Sequence, residues 1–178
     1  VRAFGGTSPR RLVFGFMCAS AFLSMWISNT STTLMLLPVA LAALEKTDDM
    51  NLSGPLLLGI AYAASIGGIG TPIGTPPNMV FMGVYTEVTG GAVSFGQWML
   101  WAIPVVLIML PIAGLWITRG VSKSGGVALP EAEAWSTAEQ RVLVIFSITA
   151  LLWMTRKGPW GGWSLSLIHI SEPTRQAM

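Results

Sequence analysis

Apolar and polar residues fall along this chain in long blocks rather than in short periods. Leu12 to Ile27 is apolar and amounts to about one membrane crossing at most. An uncharged polar stretch overlaps its end, Ser24-Met25-Trp26-Ile27-Ser28-Asn29-Thr30-Ser31-Thr32-Thr33, and Leu34 to Leu44 is apolar again. That second arm holds only 11 residues, whereas a helix needs about 20 to span a bilayer. The block 12–44 is therefore predicted to be a re-entrant helical hairpin with Ser28-Asn29-Thr30 at or near its tip. A helix carrying a Ser/Thr patch, or two ordinary spans, are the alternatives. Pro38 is a candidate kink in the second arm.

Glu45 to Gly54 carries Glu45, Lys46, Asp48 and Asp49 and reads as a water-facing loop. Asn51-Leu52-Ser53-Gly54-Pro55 looks like a helix start with proline just inside. Pro55 to Ile66 is apolar and rich in small residues, which let membrane helices approach closely. A second uncharged break follows, Gly67-Gly68-Ile69-Gly70-Thr71-Pro72-Ile73-Gly74-Thr75-Pro76-Pro77-Asn78, before Met79 to Val88 resumes. Residues 55–88 are too many for one straight span and suit a transmembrane helix unwound in its middle. Residues 97–118 form the clearest span, with Trp98 and Trp101 opening it and Trp116 near its end, as in interfacial aromatic belts. Pro104 and Pro111 are tolerable inside a membrane helix. Ser136-Thr137-Ala138-Glu139 reads as a capping box, and 141–155 as a further span.

Composition agrees with a membrane setting. The chain has 178 residues, 52% hydrophobic and 10% charged, with mean hydropathy +0.64. Soluble domains carry about 25% charged residues. The expected fold class is an all-α integral membrane protein. A net charge of +2 without a basic cluster gives no reason to expect a nucleic-acid partner. The one cysteine, Cys18, precludes an intrachain disulfide framework and reads as a small packing residue. Glu87 reads as an interfacial charge. The segments at the two ends stand apart. Residues 1–11 are polar and basic, a juxtamembrane segment, and the chain opens without a start methionine, as a fragment would. Residues 165–178 look like a translated sequencing-library adaptor, not native sequence, and they hold the only histidine, His169. No His/Asp/Glu pair or usable thiol is left within the membrane segments, so an enzyme is not expected.

Parity sets the orientation. A hairpin returns to its own side, so Arg2, Arg10, Arg11, Lys46, Arg119, Lys123 and Arg141 share one face, and Arg156 and Lys157 the other. The positive-inside rule makes the first face cytoplasmic, in the cell membrane, with the hairpin entering from that side.

The two breaks carry the chemistry. Non-helical backbone at membrane depth is tolerated only where it is buried in protein or lines a polar cavity. Paired interruptions point to a transporter's binding site. Hydroxyls, amides and freed carbonyls are neutral oxygen ligands suited to a small hard cation, and N–H groups at half-helix starts suit an anion.

Ser24-x-x-x-Ser28-Asn29-Thr30, followed about 45 residues on by Gly74-Thr75-Pro76-Pro77-Asn78, resembles the divalent anion/sodium symporter family. The similarity runs from about Arg11 to Thr118, and more loosely to Arg156. These proteins are secondary transporters of dicarboxylates, citrate or sulfate, built from two inverted repeats, each with a hairpin and a broken helix. This chain matches the first repeat and lacks a second Ser-Asn-Thr motif. The resemblance implies a partial inverted-repeat transporter, inactive alone, whose parent is a homodimer. It implies a sodium ion held by Ser24, Ser28 and Asn29 with the Gly74 carbonyl. It implies a substrate carboxylate facing Asn29, Thr30, Thr75 and the turn at Pro76. The expected activity is sodium-coupled transport of a divalent organic anion, such as the C4-dicarboxylate succinate, by alternating access. Sulfate or citrate cargo, or another anion carried by a related transporter family, is the alternative; a channel or a membrane enzyme is less favoured.

Within the second break Gly70-Thr71-Pro72 nearly duplicates Gly74-Thr75-Pro76, and the second copy is assigned to the site because it continues into Pro77-Asn78. Gly67 to Gly70 are expected to serve close helix packing. Ser31, Thr32 and Thr33 are expected to hydrogen-bond their own backbone.

Overall fold

The structure is a computed structural model that describes residues 8–45, 47, 51–121 and 136–155, with side chains to 152 in the last segment. The described residues form six α-helices and one 3-10 turn, and no strand. They are α1 (Pro9–Ser24), α2 (Asn29–Leu44), α3 (Ser53–Gly68), α4 (Pro76–Thr89), α5 (Phe95–Ile117) and α6 (Thr137–Thr155), with the 3-10 turn at Thr118–Gly120. The chain divides into two compact units, Val1–Val93 with Gln97–Glu131, and Ser94–Gly96 with Ala132–Met178.

In the first unit α1 packs against α3. Ser8 caps α1 by accepting from the Arg11 amide at 3.5 Å, and Pro9 fills a first-turn position whose N–H would be unpaired in any case. The buried residues Leu12, Val13, Phe16, Met17, Ser20, Ala21 and Ser24 recur every three or four positions, so one stripe of α1 faces inward. On α3 the matching stripe is Leu56, Gly59, Ile60, Ala63, Ala64 and Gly67. Small residues set the distance between them. A Cβ on Gly67 would stand 2.2 Å from the Ala21 carbonyl oxygen, so backbone meets backbone there. Ser20 donates to the Ile60 carbonyl at 2.8 Å, tying the helices by a polar contact inside an apolar layer.

Helix α2 leans on the same core through Thr32, Leu36, Ala40 and Ala43, while Leu34, Met35, Leu37, Val39 and Leu41 are exposed. Helices α1, α2 and α3 have 16 residues each. At the α-helical rise each is about 24 Å long, short of a hydrocarbon core of about 30 Å. Helix α5 differs. With its 3-10 extension, Phe95–Gly120, it is the one helix among the described residues long and apolar enough to cross a membrane. It seats Gly114 under Phe14, where a Cβ would lie 2.4 Å from the ring. At its end Arg10 donates to the carbonyls of Val121 (3.0 Å) and Arg119 (3.1 Å), and the Arg119 guanidinium lies 3.7 Å over the Trp116 ring.

In the second unit α6 begins with the predicted capping box. Glu139 Oε2 accepts from the Ser136 amide at 2.8 Å, and Ser136 Oγ accepts from the Glu139 amide at 3.2 Å.

Helix ends differ from the sequence expectation. The breaks narrow to residues 25–28 and 69–75. Hydroxyl residues at the start of α2 are helical because Ser28 caps them, and Pro76-Pro77 start α4 because their fixed φ already suits a first turn. Arg10 and Arg11 lie inside α1 rather than before it. Lys46, Asp48 and Asp49, the tail at 165–178 with His169, and Arg156 and Lys157 lie outside the described residues.

Candidate functional site

The buried stripe of α1 ends on Ser24, which places its hydroxyl on the inward face at the end of the helix. The chain then turns through residues 25–28. The amide of Met25 bonds the Ala21 carbonyl at 3.2 Å, and those of Trp26 and Ile27 both bond Leu23 at 3.0 Å. Ser28 caps α2, its Oγ accepting from the Ser31 amide at 3.2 Å and donating to Ser31 Oγ at 2.8 Å. Asn29 thereby becomes the first residue of α2, and Ser24 Oγ donates to Asn29 Oδ1 at 2.6 Å.

The second break is held by a denser set of bonds. The Gly70 amide bonds the Gly67 carbonyl at 2.8 Å. The Gly74 amide bonds both the Thr71 carbonyl (3.3 Å) and Thr71 Oγ1 (3.1 Å). Asn78 Nδ2 donates at 2.8 Å to each of the carbonyls of Gly68 and Thr71. Asn78 is the only buried residue of α4. Trp98 Nε1 reaches back from α5 to the Ile69 carbonyl at 2.9 Å, with its ring edge-on to Phe81. Trp98, read in the sequence as an interfacial residue, thus also braces the break.

The two breaks meet. A Cβ on Gly68 would lie 2.4 Å from Asn29 Oδ1. One on Gly74 would lie 2.4 Å from the Gly68 carbonyl oxygen and 2.9 Å from that of Ser24. Glycine at both positions lets the backbones close on each other. Ser24, Asn29 and Gly74, separated by up to 50 positions in the chain, are therefore neighbours. The oxygens gathered here are a hydroxyl, a side-chain amide and main-chain carbonyls. None carries a formal charge, and among the described residues no His/Cys/Asp/Glu cluster competes as a metal site. Hard neutral oxygens with carbonyls freed from a broken helix fit a sodium ion.

The remaining predicted site residues sit differently. Ser28 is exposed, and its hydroxyl is engaged with Ser31 rather than with Ser24 or Asn29. Thr30 is exposed on the first turn of α2, where its amide and that of Asn29 have no carbonyl a turn earlier in the helix to bond. Thr75 is half-buried and extended (φ −147°, ψ 142°), and its side chain makes no cap bond to α4. Pro76 is exposed. Pro76 and Pro77 lack N–H groups, so α4 offers an anion its dipole but few donors.

Three contributors escaped the sequence reading. Thr71 is fully buried and bridges the breaks, its hydroxyl donating to the Met25 carbonyl. The near-duplicate Gly-Thr-Pro was the visible signal for it. Asn78 had no role assigned. Gly68, expected to serve helix packing, instead makes room for the Asn29 side chain, while Gly67 does pack against α1 as expected. Of the hydroxyls expected to bond locally, Thr33 donates to the Thr30 carbonyl at 2.9 Å. Thr32 is fully buried, and its hydroxyl has no hydrogen-bond partner among the described residues.

The citrate transporter family model matches residues 2–172 of this chain. The sodium-dependent dicarboxylate transporter SdcS of Staphylococcus saprophyticus is 32% identical over an alignment of 174 residues, covering 85% of this chain and 34% of that protein. SdcS of Staphylococcus aureus (strain NCTC 8325) is 33% identical with the same coverage. The chain thus spans about a third of the length of the curated relatives it matches.

Proposed function

This chain belongs to the citrate transporter family, in keeping with its resemblance to the divalent anion/sodium symporters, and from that premise we propose that it supplies one half of the binding pocket, and one sodium site, of a sodium-coupled anion carrier. Its family is one of transporters, not enzymes. The observation that carries the reading is the junction of the two breaks, where the Ser24 hydroxyl and carbonyl, Asn29 Oδ1 and the Gly68 carbonyl come together around Gly68 and Gly74. Ser24 Oγ, Asn29 Oδ1 and the Gly74 carbonyl would hold the sodium ion, with Ser28 joining by turning its hydroxyl from Ser31. The substrate carboxylate would lie against the first turn of α2, at Asn29 and Thr30, and against Thr75 and Pro76.

The mechanism follows from charge. Among the residues of this junction no arginine or lysine stands ready to neutralise a carboxylate. A bound cation beside Asn29 supplies that charge, so anion binding depends on sodium. The lengths of α1 and α2, about 24 Å each, support a re-entrant hairpin in preference to two crossings. The contact of Arg10 with the carbonyls of Arg119 and Val121 supports the assignment of both arginines to one face, the cytoplasmic one by their charge. The parent protein is a multi-pass membrane protein, a homodimer, in which a second repeat closes the pocket and the hairpin-bearing unit moves against a scaffold.

The cargo is a C4-dicarboxylate such as succinate, a reading supported by the word dicarboxylate in the name of the relatives SdcS. Citrate is the second reading, favoured by the name of the matching family; sulfate is a third. Uptake of labelled succinate by vesicles containing the complete protein, under an inward sodium gradient and then a potassium gradient, tests this. Sodium-dependent uptake lost in Asn29→Ala supports both the coupling and the site. Uptake indifferent to sodium overturns the sodium assignment, and uptake of citrate or sulfate alone replaces the cargo.

A further inference from the structure

The two copies of Gly-Thr-Pro in the second break have opposite environments. Thr75 is half-buried, with its hydroxyl uncommitted to capping α4. Thr71 is fully buried, and its hydroxyl is committed twice. It donates to the carbonyl of Met25, the residue after Ser24, and it accepts from the amide of Gly74 at 3.1 Å. A hydroxyl has one hydrogen to donate. That hydrogen points into the first break while a lone pair holds the second.

Asn78 completes the arrangement. Its amide grips the carbonyls of Gly68 and Thr71 at 2.8 Å each, so the curve from the end of α3 to Thr71 is held from inside. Gly68, the last residue of α3, touches Asn29, and Gly74, in the second break, touches Ser24. Thr71 lies between these contacts and is bonded to both sides of the junction. With Asn78 holding its main chain, the Thr71 hydroxyl links the Gly74 amide to the Met25 carbonyl.

Resting on the sodium-site reading above, we infer that Thr71 is a positioning residue for the cation: it does not touch the ion but holds the Gly74 side of the shell against the Ser24–Asn29 side. The first copy of the duplicated tripeptide is thereby the clasp and the second is the binding copy. Losing the clasp leaves every ligand present but no longer pre-arranged. Sodium affinity falls, and anion affinity falls with it at limiting sodium, while uptake at saturating sodium survives.

The test uses the complete protein in proteoliposomes, with Thr71→Val, Thr71→Ser and Ser24→Ala beside the wild type. Thr71→Val keeps the shape of the side chain and removes the hydroxyl. It is expected to raise the half-saturating sodium concentration about tenfold, the scale of one buried hydrogen bond, with maximal uptake little changed and Thr71→Ser restoring the wild-type constant. An unchanged sodium constant in Thr71→Val, with Ser24→Ala still raising it, overturns the clasp and leaves the site reading standing. A fall in maximal uptake with no change in the sodium constant also overturns it, because that is the mark of a merely structural threonine. Wild-type uptake indifferent to sodium removes the site reading and the clasp together. If Thr71→Val does not reach the membrane, Thr71→Cys, which keeps a weak donor, is read in its place: a sodium constant between those of the wild type and Ser24→Ala supports the clasp, and the wild-type constant overturns it.

Discussion

Ser24 and Asn29 face each other across a four-residue turn, the serine hydroxyl donating to Asn29 Oδ1 at 2.6 Å. The bond joins the last residue of α1 to the first of α2, so the two helix ends share one polar contact at the junction of the breaks. A cation that takes both oxygens must turn the serine hydrogen away. Ser24→Ala therefore removes a ligand and the partner that orients Asn29. We expect the half-saturating sodium concentration for uptake to rise by about tenfold or more, and Asn29→Ala to abolish sodium-dependent uptake. Sodium titrations of labelled-substrate uptake in vesicles check both; wild-type sodium constants in the two variants would remove these residues from the site.

Gly67 marks a close approach of α1 and α3. A Cβ there would stand 2.2 Å from the Ala21 carbonyl oxygen, and backbone on both sides has little room to yield. Gly67→Ala should destabilise the protein by about 2 kcal/mol, within the range for overpacking. Gly83, in α4, has nothing within 4 Å of a built Cβ. Gly83→Ala should be neutral or stabilise by up to about 1 kcal/mol through helix propensity. Thermal unfolding of the purified protein separates the two; equal midpoints for both variants would mean the crossing is looser than described.

Asn78 stands in the first turn of α4, where an acidic residue is ordinarily favoured by the helix dipole. Its amide, however, donates to two carbonyls. Asn78→Asp keeps the shape and sets carboxylate oxygen against the Gly68 and Thr71 carbonyls. The expected outcome is a loss of about 2 kcal/mol or more from two buried hydrogen bonds, seen as a lowered melting midpoint. A midpoint at or above wild type would show that the dipole outweighs the amide lock.

The junction is formed by Ser24, Asn29, Gly68, Thr71 and Gly74, no titratable side chain is among its contacts within the described residues, and hydroxyls and amides do not ionise near neutrality. The half-saturating sodium concentration should therefore be constant between about pH 6 and about pH 8. Uptake of a dicarboxylate should fall at the acid end only as the substrate loses its second charge. Measuring the sodium constant across that range checks this; a steep change would call for an ionisable group near the ion.

The helical segments and their interruptions were legible along the chain because they are local. Runs of apolar residues, prolines at helix starts and a Ser-x-x-Glu box act within a turn or two, and α2, α5 and the α6 cap appear where those signals lie. The family was legible too, since Ser-Asn-Thr and Gly-Thr-Pro-Pro-Asn are short contiguous motifs. Helix ends were misjudged by a few residues, because whether Asn29 to Thr33 continue a helix depends on Ser28 capping it. The division of roles between Thr71 and Thr75 was beyond local reading, as both stand in the same Gly-Thr-Pro setting. What separates them is the crossing of α1 and α3 at Gly67, which carries the end of α3 onto Met25 and buries one threonine there. The same crossing turns Gly68 toward Asn29 and Gly74 toward Ser24. The order of apolar and polar residues determined that this chain has two polar breaks; the close approach of backbones at Ala21 and Gly67 decided which of their oxygens meet.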